Sequence, residues 1–325
     1  MRILVTGAAG FIGSHVCQRL LERGDDILGI DNLNNYYEVA LKESRLANLC
    51  CYDRFRFMRV DITDRTSVER LFQDENFDRV IHFAAQAGVR YSLSNPHTYI
   101  DTNVAGFTNI IEGCRLAGIT KMMFASSSSV YGANTRIPYS TLDRTDQPIS
   151  LYAATKKANE LIAYVYHHLF GIELIGMRFF TVYGPWGRPD MAYYSFTRDI
   201  LDHKPIRLYN YGKSKRDFTF IDDAVECVVR LLGEETQPGV ECCPGYHIYN
   251  IGNQHPVDLR RFVSILEENI GCKALTEDVP PQPGDVEETY ADTGSLEDAI
   301  GYSPVTPIEW GLSRFVDWYL GYHGR

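Results

Sequence analysis

Two residues one helical turn apart, Tyr152 and Lys156, have the types and the spacing to move a proton. Side chains four apart on a helix share a face. An ammonium beside a phenol favours the phenolate and pulls a tyrosine below its ordinary pKa of about 10. Tyr152 would then be a general base useful near neutral pH. The serine run Ser126 to Ser129 lies just upstream. Taken alone, Tyr-x-x-x-Lys also describes a plain helix surface, and a serine run also describes a turn that satisfies its own backbone.

The start of the chain predicts what such a base would serve. Residues 2–6 read as a short buried strand, followed by Gly7-Ala8-Ala9-Gly10-Phe11-Ile12-Gly13 and an amphipathic helix over about 14–23, closed by Gly24. Small residues let backbone N–H groups approach a pyrophosphate at the positive end of a helix, so Gly7, Gly10, Phe11, Ile12 and Gly13 are candidate dinucleotide contacts. The spacing is G-x-x-G-x-x-G, not the commoner G-x-G-x-x-G, and a tight turn that binds nothing would read the same way.

The second strand, 26–30, ends in Asp31-Asn32, eighteen positions after Gly13. An acid there accepts hydrogen bonds from an adenosine ribose and repels a 2′-phosphate, which favours NAD over NADP. A third strand, 55–60, runs into Asp61-Ile62, where the acid could meet the adenine amino group or cap the next helix. A fourth, 79–83, runs into Ala84-Ala85, small enough for close approach to the diphosphate bridge.

A long helix (about 96–117), a fifth strand (121–125), the Tyr152 helix (to about 170) and a sixth strand (173–179) continue the alternation. The fold class is therefore α/β, a doubly wound parallel (Rossmann) sheet with its ligand crevice at the strand carboxyl ends. Prolines and glycines thicken after about residue 180. The expected division is a cofactor domain over 1–180 and a smaller mixed α/β substrate-binding domain over 181–325, interleaved because parts of 215–255 could return to the first. Asp222 reads as a helix cap.

Composition narrows the class. With 45% apolar and 23% charged residues in 325, the chain reads as an ordinary soluble globular protein. A net charge of -10 argues against a general nucleic-acid binder. No apolar run reaches the length of a membrane span and no signal peptide is expected, which points to the cytoplasm. Eight cysteines without zinc-ligand spacing read as idle thiols, and no metal site is expected.

The glycine turn and Tyr152-x-x-x-Lys156 together resemble the extended short-chain dehydrogenase/reductase family. Within it the chain is most similar to the nucleotide-sugar epimerases, those of UDP-glucuronate in particular. The marks of that subgroup are 86–92 (Gln-Ala-Gly-Val-Arg-Tyr-Ser), 126–132, 178–185, Arg216-Asp217-Phe218-Thr219 and 282–286. The resemblance implies that Tyr152 is the base, that Lys156 lowers its pKa and holds the nicotinamide ribose, and that Ser127 hydrogen-bonds the reacting hydroxyl. It places Asn103 as a supporting residue near the cofactor. The implied reaction interconverts UDP-glucuronate and UDP-galacturonate through a 4-keto sugar, with NAD retained through the cycle.

A uronic acid brings a hazard, since its 4-keto form is a β-keto acid that loses carbon dioxide when the carboxylate bond aligns with the ketone. Ser128, Ser129 and Thr181 are expected to fix the carboxylate plane, with Arg188 supporting the sugar. Arg216, and less directly Arg90, would meet the diphosphate, and Asp285 the uridine ribose. The alternatives are a UDP-glucose/galactose 4-epimerase, a UDP-glucuronate decarboxylase and an NAD(H)-sensing regulator. A 4,6-dehydratase would need an Asp-Glu pair where Ser128 and Ser129 stand. Leu161, Ile162, Val165 and Leu169 would suit a homodimer interface.

Overall fold

The computed structural model describes residues 1–233, 244–281 and 288–325. Asp285, with the rest of the 282–286 mark, lies outside the described residues. Among the described residues twelve strands follow in chain order: β1 (Arg2–Thr6), β2 (Asp26–Asp31), β3 (Phe55–Arg59), β4 (Arg79–His82), β5 (Lys121–Ser127), β6 (Glu173–Phe179), β7 (Thr181–Tyr183), β8 (Pro205–Leu208), β9 (Lys215–Phe220), β10 (Tyr246–Ile251), β11 (Pro256–Asp258) and β12 (Leu275–Asp278). Seven of them form one sheet in the order β10-β6-β5-β4-β1-β2-β3. Every pairing in it is parallel. This is the doubly wound sheet expected from the alternation, with β10 added beyond β6.

Strand periodicity explains why the sheet is covered on both faces. Ile3, Val5, Ile27, Ile81, Met123 and Ile175 point into one buried cluster. Leu4, Leu28, Val80, Met122, Phe124 and Leu174 point into the other. Parallel strands therefore read as continuous apolar runs, and all their carboxyl ends open on one edge.

The smaller part is built from β11-β9-β7 and β12-β8. Its helices include Ala192–Leu201, Leu259–Ile270 and Ile308–His323. Ile248–Ile251 returns to the large sheet as part of β10, whereas Phe218–Phe220 stays in the small one between β7 and β11. Buried Asp217 on β9 ties the parts together by accepting the N–H groups of Asn253 (2.7 Å), Gln254 (3.1 Å) and Ala291 (3.0 Å). Asp222 does not precede its helix but sits in the first turn of Ile221–Gly233.

The predicted long helix is interrupted. Short helical pieces at Tyr91–Ser94 and Pro96–Tyr99 lead into a π-helical turn, Ile100–Gly106, before Phe107–Leu116. The Tyr152 helix runs over Leu151–Phe170. Ser150 caps it by accepting the Ala153 N–H at 3.1 Å, and Gly171 ends it at φ 68°.

Under the site lies a buried ion pair. Arg178 on β6 grips Glu160 of the Tyr152 helix with two bonds, 2.8 and 2.9 Å, both side chains at 3% exposure or less. Ser126 donates to the same carboxylate at 2.7 Å, and Arg178 also donates to Tyr131 at 3.1 Å. Burial alone would raise the Glu160 carboxyl, but Arg178, Lys157 and Ser126 outweigh it and hold it below its ordinary value.

Arg178→Met should cost about 3–5 kcal/mol at pH 7, because it strands a buried carboxylate. A depressed folded-state pKa gives stability above the unfolded value of about 4.3 that is lost on further acidification. The deficit of the variant should thus persist down to that value and shrink as the pH falls below it. Urea unfolding at several pH values reads both effects.

Candidate active site

One cavity of about 1010 Å³ runs along the carboxyl edge of the large sheet and is roofed by the smaller part. That is the upper end of the range for small-molecule sites. Gly7, Gly10, Phe11, Ile12, Gly13, Asp31, Asn32, Ile62, Ala84 and Ala85 line one end. Ser127, Ser128, Ser129, Tyr152, Lys156, Thr181, Arg188, Arg90 and Arg216 line the rest. The edge gathers them because each strand delivers its next residues there.

The glycine turn is dictated by space. Gly7 takes φ +73°, and a Cβ on it would stand 2.7 Å from the Ala84 nitrogen. A Cβ on Gly13 would stand 2.1 Å from the Gly7 carbonyl oxygen. The twelve-residue helix Phe11–Glu22 starts there with no acid in its first turn, leaving its positive end toward the cavity. Asp31, half-buried at the end of β2, is pushed up by burial, against a Leu33 N–H bond and the pull of Lys42. A ribose diol is the hydroxyl donor such a carboxylate lacks. Turn, acid and volume all fit NAD.

Tyr152 is half-buried and lines the cavity. Burial pushes its phenol above the ordinary value; a hydrogen bond with Ser127 and then the Arg188 guanidinium pull it back, while Asp190 opposes them. The tyrosine–lysine spacing predicts a different helper. Lys156 does share the face, but its ammonium donates to the Ala125 carbonyl on β5 at 2.8 Å, and burial lowers it to about 8. One guanidinium that pulls the phenol down, that of Arg188, arrives from a loop 36 residues later in the chain. Arg188 is itself forked onto Asp190 by bonds of 3.0 and 2.7 Å.

The serines divide. Ser126 is spent on Glu160. Ser127 accepts the Ser129 N–H (3.2 Å) and donates to its hydroxyl (3.1 Å), so the turn satisfies part of its own backbone while Ser128 and Ser129 still face the cavity.

Two candidates stand behind the wall. Asn103 is not among the lining residues; Thr102 is. Its amide holds both Gln86 backbone groups (2.7 and 3.0 Å) and Thr155 (3.1 Å), bracing the β4 loop against the Tyr152 helix. Asp61 is likewise not on the lining but holds Asn32 at 3.0 Å and Thr63 at 2.8 Å. The π-turn carrying Asn103 rotates it inward, which a regular helix pattern does not foretell. Sequence reasoning missed Asn34, Tyr36, Tyr37, Lys42 and Asp190, all on the lining. Only their place after strand ends, in loops or, for Lys42, in the first turns of the helix Val39–Leu49, could have signalled them.

Residues 3–252 match the NAD dependent epimerase/dehydratase family. The chain belongs to that family. It is 49% identical to UDP-glucuronate 4-epimerase 2 of Arabidopsis thaliana, over 99% of this chain and 76% of the relative. It is 48% identical to the protein CapI of Staphylococcus aureus over the full length of both. Among solved structures, the UDP-glucuronic acid 4-epimerase of Bacillus cereus, in complex with UDP-glucuronic acid and NAD, superposes with a TM-score of 0.91 at 34% identity, covering 99% and 100% of the two chains. NAD is the cofactor of this site. Among the described residues no cluster could hold a metal ion, and no helix is long and apolar enough to cross a membrane.

Tyr152→Phe should keep the fold and lower turnover by about 10²–10⁴-fold, the range for losing a general base. Ser127→Ala removes a contact that lowers the phenol pKa, so the base limb of the kcat/KM profile should move to higher pH. A profile measured from pH 6 to 10 for the three proteins checks both.

Proposed function

We propose that the chain is an NAD-dependent UDP-glucuronate 4-epimerase, acting as a cytoplasmic homodimer. The observation that carries this reading is that the glycine turn, the Tyr152 phenol and a wall of Ser128, Ser129, Thr181 and Arg188 face one cavity. Its 49% identity to a plant enzyme of that name supports the choice of substrate.

NAD, which the glycine turn and Asp31 would hold, would supply the acceptor and donor for the C4 hydride. Tyr152 accepts the C4 hydroxyl proton as that hydride leaves, so a C4 carbonyl forms. Ser127 orients the hydroxyl, and Lys156 and Asp31 would hold the two riboses. After the sugar turns, Tyr152 gives the proton back as hydride reaches the opposite face, yielding UDP-galacturonate with no net redox change. The Arg188 guanidinium offsets part of the cost that burial imposes on the phenolate. Arg216 and Arg90, both on the lining, are the cations for the diphosphate. The carboxylate is held by Ser128, Ser129 and Thr181, away from alignment with the transient ketone.

The dimer reading rests on the Tyr152 helix, where Leu161 is 58% and Leu169 62% exposed, with Val165 between them. The adjoining helix Phe107–Leu116 docks beside it through Tyr166 to Glu112 (2.9 Å) and Arg115 over the Phe170 ring. Ile162 instead packs inward.

Protein incubated with UDP-glucuronate should give UDP-galacturonate by NMR without accumulating NADH. Turnover of UDP-glucose alone would move the reading to a hexose epimerase, and a UDP-pentose product to a decarboxylase. Alanine at Ser128, Ser129 and Thr181 together should raise carbon dioxide release per epimerisation at least several-fold. Leu161→Glu with Leu169→Glu should convert a dimer into a monomer in sedimentation.

A further inference from the structure

Arg45 lies on the helix Val39–Leu49 and is 2% exposed. A guanidinium so buried is normally matched by a carboxylate. Among the described residues none is paired with it. Its five N–H groups instead go to oxygens on both sides of the cleft. Nη1 donates to the Ala9 carbonyl in the glycine turn (3.0 Å) and to the Tyr37 hydroxyl (2.7 Å). Nε and Nη2 both reach the Trp186 carbonyl (3.1 and 2.6 Å), and Nη2 also reaches that of Gly187 (3.2 Å).

Both ends of this bridge are functional. Ala9 belongs to the dinucleotide turn, and its N–H bonds Asp31. Trp186 and Gly187 immediately precede Arg188. Trp186 also takes φ 61°, a left-handed conformation costly for a bulky residue, which persists only where the surroundings over-determine it. Arg45 supplies two bonds to the carbonyl of that residue, while its ring packs on Trp318 and Tyr322 at 5.2 and 5.3 Å. The loop beyond it carries Arg188 into the cavity, where Asp190 is held by Arg188 and by Tyr36 (3.3 Å).

We infer that Arg45 is a positioning residue that couples the two halves of the site: it ties the dinucleotide turn to the loop bearing Arg188, so that a sugar nucleotide slows the release of NAD. This rests on the proposed substrate class. A methionine fills the volume but bonds none of the four acceptor groups, and a lysine keeps the charge but not the planar fork. Linkage requires any such coupling to be mutual.

The test measures NAD release in a Tyr152→Phe background, where no turnover intervenes, with and without saturating UDP-glucuronate and, separately, UDP-glucose. With Arg45 present, the bound sugar nucleotide should slow release about tenfold or more, within the span of known couplings. Arg45→Lys and Arg45→Met should reduce that slowing to less than twofold, with circular dichroism reporting the fold. Full slowing in both variants, or no slowing with Arg45 in place, overturns the inference. Failure of both to fold would assign Arg45 to stability alone and overturn it as well. Slowing by UDP-glucose but not by UDP-glucuronate, lost on replacing Arg45, would uphold the coupling while counting against the proposed substrate.

Discussion

A phenol that must lose its proton on the wall of a cavity, away from bulk water, has to find replacement for that water within a few ångströms. Desolvation dominates the titration of Tyr152, and what opposes it is a neighbouring hydroxyl and a guanidinium. Neither helper is a neighbour in the chain. The large sheet brings Ser127 to the end of β5, and the smaller part brings Arg188 over the top. The phenol therefore has both helpers only when both parts are in place.

That dependence explains where the fold concentrates its buried polar groups. Arg178 and Glu160 fix the Tyr152 helix to β6, Asn103 fixes it to the loop after β4, and Asp217 fastens β9 to the loop after β10. Each is a buried group with its hydrogen-bonding capacity met by partners from distant elements, an arrangement that specifies one geometry rather than merely adding stability. Arg45 belongs to the same set but spans the cleft, and so it can carry information between cofactor and sugar.

Around Tyr152 the structure adds partners that the sequence spacing does not name. Tyr152 and Lys156 do share a helix face, yet the lysine is drawn to the Ala125 carbonyl, because a buried ammonium takes the nearest acceptor and β5 ends directly beneath it. The long helix diverges for a different reason. Its π-helical turn adds a residue to the spiral and turns Asn103 away from the cavity toward the Gln86 backbone.

By itself the sequence determined the order of strands and helices, the glycine turn, Asp31 at the end of β2, and the Tyr152 helix to about residue 170. These follow from local rules: period, capping, and the space a missing Cβ leaves. Only the tertiary structure decided that β10 closes the sheet while β9 does not, that Arg188 faces the phenol, and that Asp61 and Asn103 stand behind the lining. Those outcomes depend on which desolvated polar groups meet across long stretches of chain, and the free energy of such a meeting is written in no single segment.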